Sequence, residues 1–503
     1  MINHRFPRVM NCEEPLLTDL YQFTMAQAAW HSGKDRVASS FYTHFRKNPF
    51  KGGYAVACGA ASIAEFIASY AFSESSLAYV RSLPAPGGGC LFDPDFVSSL
   101  EDWQLEVDIE CAPEGTVVFA QEPVLRVSGP FSQCLLLETP LLNLLGYQTL
   151  VATKAARICN TTSKPVAEFG LRRAQGPCGG ALASRAAYVG GCSSTSNVLA
   201  GKLYDIPVSG THSHAWVMAF ESELDAFRAY VRSFPHNAVL LVDTYDTLTG
   251  IQNAITVALE MAERGEQLTG IRIDSGDLAW LSIQAREMLD DAGCREVKIV
   301  ASNDLDEHTI LSLEAEQGAR IDSWGVGTRL AVAYDQPALG MVYKLSAQQR
   351  AGTDEYTTVL KVSEQSSKAT LPGILASRRY YDSSGRAVGD MVYDELMPPV
   401  EHRIIDPLNP LRQKDLSGYT YQELLAPLVR KGKPVEEAEP ESAATAAAPA
   451  SRLRSATEAR AHTRHNLETI PASNRRLLNP HSYPVGLERQ LLDNRDKLLK
   501  SVR

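Results

Sequence analysis

The chain has 503 residues, 44% of them hydrophobic and 21% charged, with a formal net charge of -10. Such a length accommodates two or more domains, and the composition is that of a soluble globular protein. The acidic balance argues against a nucleic-acid or acidic-membrane surface, which would show a basic stripe, but not against a local cationic cluster for an anionic substrate. The nine cysteines, Cys12, Cys58, Cys90, Cys111, Cys134, Cys159, Cys178, Cys192 and Cys294, are odd in number and form no C-x-x-C pair, so a reduced cytoplasmic protein is expected. The opening Met-Ile-Asn-His-Arg-Phe-Pro-Arg lacks the apolar core of a signal peptide.

Residues 1–134 read as an N-terminal α/β domain. Leu16 to Trp30 has helical spacing, Ala38 to Phe45 is strand-like, and Leu105 to Val127 carries apolar runs split by Pro and Gly turns. Leu135 to Ala152 is apolar but interrupted by Glu138, Thr139, Asn143 and Gln148, which predicts a buried helix rather than a membrane span. Residues 135–346 then repeat one pattern: a short apolar run that stops at polar groups. Ala167–Gly170 leads to Arg172 and Arg173, Ile206–Gly210 to Thr211–His214, and Ala238–Val242 to Asp243–Asp246. Ile271–Ile273 leads to Asp274–Asp277, Val297–Ala301 to Ser302–Asp304, and Ile321–Trp324 to Gly325–Thr328. Amphipathic helices are predicted over Thr249–Glu263 and Leu278–Asp291. Runs of this kind, about 20 to 30 residues apart, predict βα units in a parallel barrel with its chemistry where the strands stop. Residues 347–430 are β-rich, notably at Tyr356–Val362 and Ala387–Tyr393; 431–454 read as a linker, rich in Ala, Pro and Glu over Lys431–Ser451. In the C-terminal helical segment 455–503, Ser455–Leu467 is expected to be helical and Leu477–Leu499 a final docked piece.

The polar ends carry the candidate chemistry. Arg172 and Arg173, followed by Gly176, Gly179 and Gly180, suit phosphate recognition; a solvated helix start is the equal alternative. The run Gly190 to Asn197 reads foremost as an ordinary turn, although its hydroxyls and glycines could cradle phosphate. His212 and His214, at i and i+2, suit a metal pair if both point one way, or one working His acting as nucleophile or acid/base. Neither His236 nor His308 sits at a strand end, which favours the single working His. Asp243 and Asp274 stand at strand ends, where carboxylates hold Mg²⁺ or stabilise positive charge on a sugar, whereas Asp246 and Asp277 suit helix N-caps.

Taken together, Glu168-Phe-Gly-Leu-Arg-Arg-Ala-Gln-Gly-Pro177, Gly210-Thr-His-Ser-His214, Arg272-Ile-Asp-Ser-Gly-Asp277, Gly325-Val-Gly-Thr328 and Leu16-Leu-Thr-Asp-Leu-Tyr-Gln-Phe-Thr-Met25 closely resemble the nicotinate phosphoribosyltransferase family. The resemblance implies a type II phosphoribosyltransferase: an irregular parallel α/β barrel with a second α+β domain built from N- and C-terminal segments, and active sites shared across a homodimer. It further implies that nicotinate and phosphoribosyl pyrophosphate form nicotinate mononucleotide and pyrophosphate, the first step of NAD synthesis from nicotinate. Mg²⁺ would be the cofactor, and ATP a co-substrate hydrolysed through a phosphohistidine. Carried over by motif, Tyr21 of the partner subunit would stack on one face of the pyridine and Phe169 on the other. Thr211 and Arg272 would bind nicotinate, His214 would be phosphorylated, and Arg173 would bind phosphate or carboxylate. Gly325, Gly327 and Thr328 would form the phosphoribosyl turn, while Asp243 and Asp274 would serve catalysis directly or through Mg²⁺. The chain departs from the family pattern at Cys178, where Asp is common, and at Cys192-Ser193 in place of Phe-Asp. Ser196, where nicotinamide-using relatives have an acidic residue, favours the carboxylate substrate. The competing readings are a nicotinamide or quinolinate phosphoribosyltransferase, a metal-dependent barrel hydrolase using His212 and His214, and a non-catalytic regulator.

Overall fold

The computed structural model describes residues 14–350, 352–362, 370–435 and 453–501. The chain forms two compact units, Met1–Thr153 with Ala338–Arg503, and Lys154–Pro337.

The first unit joins the two chain ends through one strand. Ala38–Phe45, almost wholly buried, pairs antiparallel with Leu125–Pro130 on one side and with Met341–Gln349 on the other, where Phe45 faces Met341. That pairing draws the chain after residue 337 into this unit, so the barrel unit is shorter than the expected 135–346. The resulting seven-stranded sheet is accompanied by a six-stranded sheet that includes Leu375–Tyr381, Ala387–Asp394 and Val485–Leu487. Tyr42, Leu375, Val392, Ile405, Leu487, Leu491 and Leu492 form a shared core that also docks the last helix, Arg489–Ser501. The first α-helix is Leu20–His31 rather than the expected Leu16–Trp30: Asp19 is extended, and its carboxylate accepts from the Thr139 hydroxyl at 2.8 Å. Phe23 and Ala26 of that helix pack on Leu77, Val80, Phe92, Phe96 and Leu136. The predicted linker begins too early, because Lys433–Pro434 pairs with Ala426–Arg430 around a turn at Lys431 and Gly432, both at positive φ. Residues 436–452 of that linker lie outside the described residues. The predicted helix after Ser455 is Ala456–Thr469, opened by a capping box between Ser455 and Glu458.

In the second unit six parallel strands lie in the order Ser194–Thr195, Val166–Glu168, Ser323–Val326, Lys298–Ser302, Gly270–Ile273, Val239–Leu241, a half-barrel with helices between strands. The expected apolar runs form strands, with Ile321–Trp324 shifted to Ser323–Val326, Ala167–Gly170 shifted to Val166–Glu168, and one exchange. Ile206–Gly210 is not a strand and contributes only a bridge from Val208 to Thr195. The edge strand is instead Ser194–Thr195, inside the stretch read as a turn. Pro207 has no N–H to extend a ladder, but its carbonyl accepts from Thr195 at 3.0 Å and the Ser209 N–H returns to the Thr195 carbonyl at 3.0 Å. The helices Thr247–Glu263 and Leu278–Asp291 follow their strands, capped by Asp246 and Asp277 as their positions suggested. Among the described residues no helix is long and apolar enough to cross a membrane.

Candidate active site

Parallel strands deliver their C-terminal ends to one edge of the sheet, and the loops there hold the reactive groups. Arg272, in the strand Gly270–Ile273, is gripped from two strand ends and from the loop at Thr211. Its Nε donates to Ser302 Oγ at 2.9 Å, Nη1 to Thr211 Oγ1 at 2.8 Å and Nη2 to Asp274 Oδ1 at 3.0 Å. Ser302 in turn donates to Asp274 through a short hydrogen bond. Each Nη carries a second N–H beyond these bonds, so the fork is fixed in its plane and still able to bind an anion. Burial would raise the Asp274 carboxyl, but the Ser302 hydroxyl and the Arg272 guanidinium outweigh it and hold the group below its ordinary value. The guanidinium lies 5.7 Å from the centre of the Phe169 ring. That ring rests on Gly325, where a Cβ would come within 2.6 Å of it, while at Gly327 a Cβ would approach the Phe169 backbone carbonyl at 3.1 Å. Gly325 therefore admits the aromatic ring to the strand ends, and Gly327 admits the backbone that carries it.

Beside this cluster, Asp243 Oδ2 accepts from the Asp274 N–H at 2.9 Å and from Ser275 Oγ at 2.5 Å. Asp243 Oδ1 is buried without a hydrogen-bond partner among the described residues, an acceptor that a cation or a ligand hydroxyl would satisfy. Asp274, already bound to Arg272 and Ser302, is the more committed of the two carboxylates. Half-buried His214 begins the short helix His214–Met218 and places Nδ1 3.2 Å from Thr244 Oγ1. His212 has both ring nitrogens engaged by backbone, Nε2 accepting from Leu241 N–H at 3.1 Å and Nδ1 meeting the Ser213 carbonyl at 3.3 Å. The two imidazoles thus have separate partners and do not form the metal pair that their spacing allowed.

Thr211, Phe169, Arg272, Gly325, Asp274 and Asp243 are joined by direct contacts, with His214 tied to the loop after Asp243. Thr328 starts the helix Thr328–Ala331 just beyond Gly327. Arg173 ends the 3₁₀ turn Leu171–Arg173 with its side chain exposed, and Ser196 donates its N–H to the Glu168 carbonyl at 2.8 Å. Tyr21 belongs to the first unit, 47% exposed on Leu20–His31. Three organising residues escaped sequence reasoning. Ser302 orients Arg272, and Thr244 orients His214. Glu168, 1% exposed, accepts from the Gly170 N–H and from the hydroxyls of Ser184 at 2.9 Å and Thr195 at 2.6 Å. All three stand at or just past strand ends, which was the available signal. At one of the family departures, Ser193 donates its N–H and hydroxyl to the Val166 carbonyl at 2.8 Å and 3.0 Å, so that position serves the strand edge.

The fold is also that of the nicotinate-nucleotide pyrophosphorylase of Pyrococcus furiosus, at a TM-score of 0.66 and 20% identity over 92% of this chain and 98% of that one. Family models match in three consecutive parts: the nicotinate phosphoribosyltransferase N-terminal domain over residues 16–146, the nicotinate phosphoribosyltransferase family over 165–384, and the C-terminal domain over 377–495. The nicotinate phosphoribosyltransferase of Bacillus subtilis (strain 168) is 39% identical over 494 residues, 97% of this chain and 96% of the relative. The crystal structure of human nicotinic acid phosphoribosyltransferase superposes with a TM-score of 0.81 at 31% identity, covering 96% of this chain and 100% of the human one. The chain belongs to the nicotinate phosphoribosyltransferase family.

Proposed function

We propose that this protein transfers the phosphoribosyl group of phosphoribosyl pyrophosphate to nicotinate, forming nicotinate mononucleotide and pyrophosphate at the entry of nicotinate into NAD synthesis. The observation that carries this reading is the family likeness across 97% of the chain. The Arg272 fork supports it as a ready carboxylate ligand beside the Phe169 ring. The pyridine nitrogen attacks the anomeric carbon with its lone pair, and the carbon–oxygen bond to pyrophosphate breaks with its electrons leaving on the pyrophosphate. Arg272 and Thr211 hold the carboxylate, Phe169 lies on one ring face, and alignment of this kind contributes roughly 7 to 11 kcal/mol. Asp243 and Asp274 set a negative field for the charge developing on the ribose. Gly325, Gly327 and Thr328 shape the phosphoribosyl turn, Ser196 faces the base without an opposing carboxylate, and Arg173 supplies a cation for phosphate. Asp243, through its free Oδ1, is the residue suited to hold Mg²⁺, which would neutralise the leaving pyrophosphate.

In the ATP-coupled form of this reading, classed with the ligases, His214 Nε2 attacks the γ-phosphorus and ADP departs; water later returns the phosphoryl group as phosphate. The contact of Nδ1 with Thr244 leaves Nε2 for that role. The enzyme acts as a cytoplasmic homodimer in which Tyr21 of the partner subunit covers the second pyridine face. This reading is tested by incubating the purified protein with nicotinate, phosphoribosyl pyrophosphate and Mg²⁺, with and without ATP. Nicotinate mononucleotide is expected, faster with ATP. γ-Labelled ATP should leave acid-labile phosphate that is absent in His214→Ala and present in His212→Gln; label persisting in His214→Ala would overturn the phosphohistidine.

A further inference from the structure

A parallel sheet that stops at an edge leaves alternate N–H groups of its last strand without a ladder partner. At the Val239–Leu241 edge, Leu240 and Leu241 are opposite Ile271 and Arg272 of the neighbouring strand, and the Val242 N–H donates to the Arg272 carbonyl. The Leu241 N–H faces the other way and donates to His212 Nε2 at 3.1 Å, both groups buried. Because Nε2 accepts, the proton resides on Nδ1 and is donated to the Ser213 carbonyl. The ring is wedged edge-on to Tyr230, centroids 4.7 Å apart, and lies against Phe227 at 6.1 Å. Burial is the main cause that lowers its pKa to about 4, so near neutral pH the acceptor is present. Thr211, just before it, accepts from Arg272, and His214, two residues after it, meets Thr244.

We infer that His212 is a positioning residue, whose imidazole pins the Thr211–His214 loop to the edge strand leading into Asp243 and Thr244, and so sets the geometry of the Thr211–Arg272 pair for the carboxylate substrate. The kinetic part of this inference rests on the function proposed above; the pin itself does not. A side chain that merely filled space here would be replaceable by another ring. Three variants of the full chain separate the cases. His212→Phe keeps the contacts with Tyr230 and Phe227 but removes the acceptor; His212→Gln restores an acceptor; His212→Ala removes both.

In steady-state assays, His212→Ala and His212→Phe are expected to raise the KM for nicotinate about tenfold, equivalent to about 1.4 kcal/mol, with the KM for phosphoribosyl pyrophosphate changed less than about twofold. His212→Gln should recover most of the loss. Hydrogen exchange should show the Leu241 amide opening about tenfold faster in His212→Phe than in His212→Gln. If His212→Ala does not fold, His212→Phe carries the comparison. A nicotinate KM unchanged in His212→Phe, or a fall confined to kcat and thermal stability, overturns the positioning role. If the unaltered protein does not use nicotinate at all, the proposed function fails, and the Leu241 exchange rates alone decide the pin: equal rates in the Phe and Gln variants would refute it.

Discussion

Arg272 shows how a single side chain is made specific by what holds it. With Nε, Nη1 and Nη2 each tied to a different residue, Ser302, Thr211 and Asp274, the guanidinium has little rotational freedom left to lose on binding a carboxylate. Arg272→Lys should raise the nicotinate KM by the equivalent of about 1.5 to 3 kcal/mol, because an ammonium cannot reproduce the fork. Unchanged nicotinate kinetics in a folded Arg272→Lys protein would remove this residue from the substrate. Glu168 is the structural counterpart. Its two oxygens accept from the Gly170 N–H and from the Ser184 and Thr195 hydroxyls. In Glu168→Gln the amide oxygen can still accept from the Gly170 N–H, but the charge-assisted bonds from the two hydroxyls are lost, at a cost of about 1 to 3 kcal/mol in denaturant unfolding. Undiminished stability would show that Glu168 does not organise the loop bearing Phe169.

Among secondary-structure elements, the polar residues after the strands divide into those that tie strand ends together and those that start helices. Asp277 caps Leu278–Asp291 by accepting from Trp280 N–H, whereas Asp274, three residues earlier, holds Arg272. Asp277→Ala should therefore lower stability by about 0.5 to 2 kcal/mol and leave nicotinate KM unaltered; a loss of substrate affinity without loss of stability would reverse the assignment. This division was legible in the residues, since strand-end and cap positions differ by register. What was not legible was the edge strand: Ser194–Thr195 is two residues long and sits in a Gly- and Ser-rich run, while the more strand-like Ile206–Gly210 is limited by Pro207. The orientation of His212 was equally hidden, because i, i+2 spacing permits a shared direction without enforcing it. Its burial has a measurable consequence. A His with its pKa depressed from 6.5 to about 4 stabilises the fold fully above 6.5, and the unfolded chain takes up the proton first as pH falls. Stability should decline between these values, and His212→Gln should flatten the decline by up to about one proton; an unchanged slope would mean His212 titrates normally.

Over the whole molecule, the motifs identified the family and the barrel, and the pairing of Ala38–Phe45 with Met341–Gln349 explains why two distant segments build one unit. That pairing lies some 300 residues apart in sequence, and no local periodicity reports it. Leu17, Leu20, Tyr21 and Met25 remain exposed on and beside the first helix, the surface that the proposed dimer would cover. If Tyr21 completes the partner's site, mixing Tyr21→Ala with His214→Ala subunits should restore activity at one site per heterodimer; no recovery after verified exchange would argue for self-contained sites. Recognition of nicotinate as the accepted base is decided by comparing kcat/KM for nicotinate, nicotinamide and quinolinate with phosphoribosyl pyrophosphate and Mg²⁺ under one set of conditions. Nicotinate mononucleotide should form from nicotinate at a kcat/KM at least about a hundredfold above nicotinamide, since the Arg272 fork lacks its anionic partner in the amide. Equal or better use of nicotinamide, or product from quinolinate alone, would contradict it.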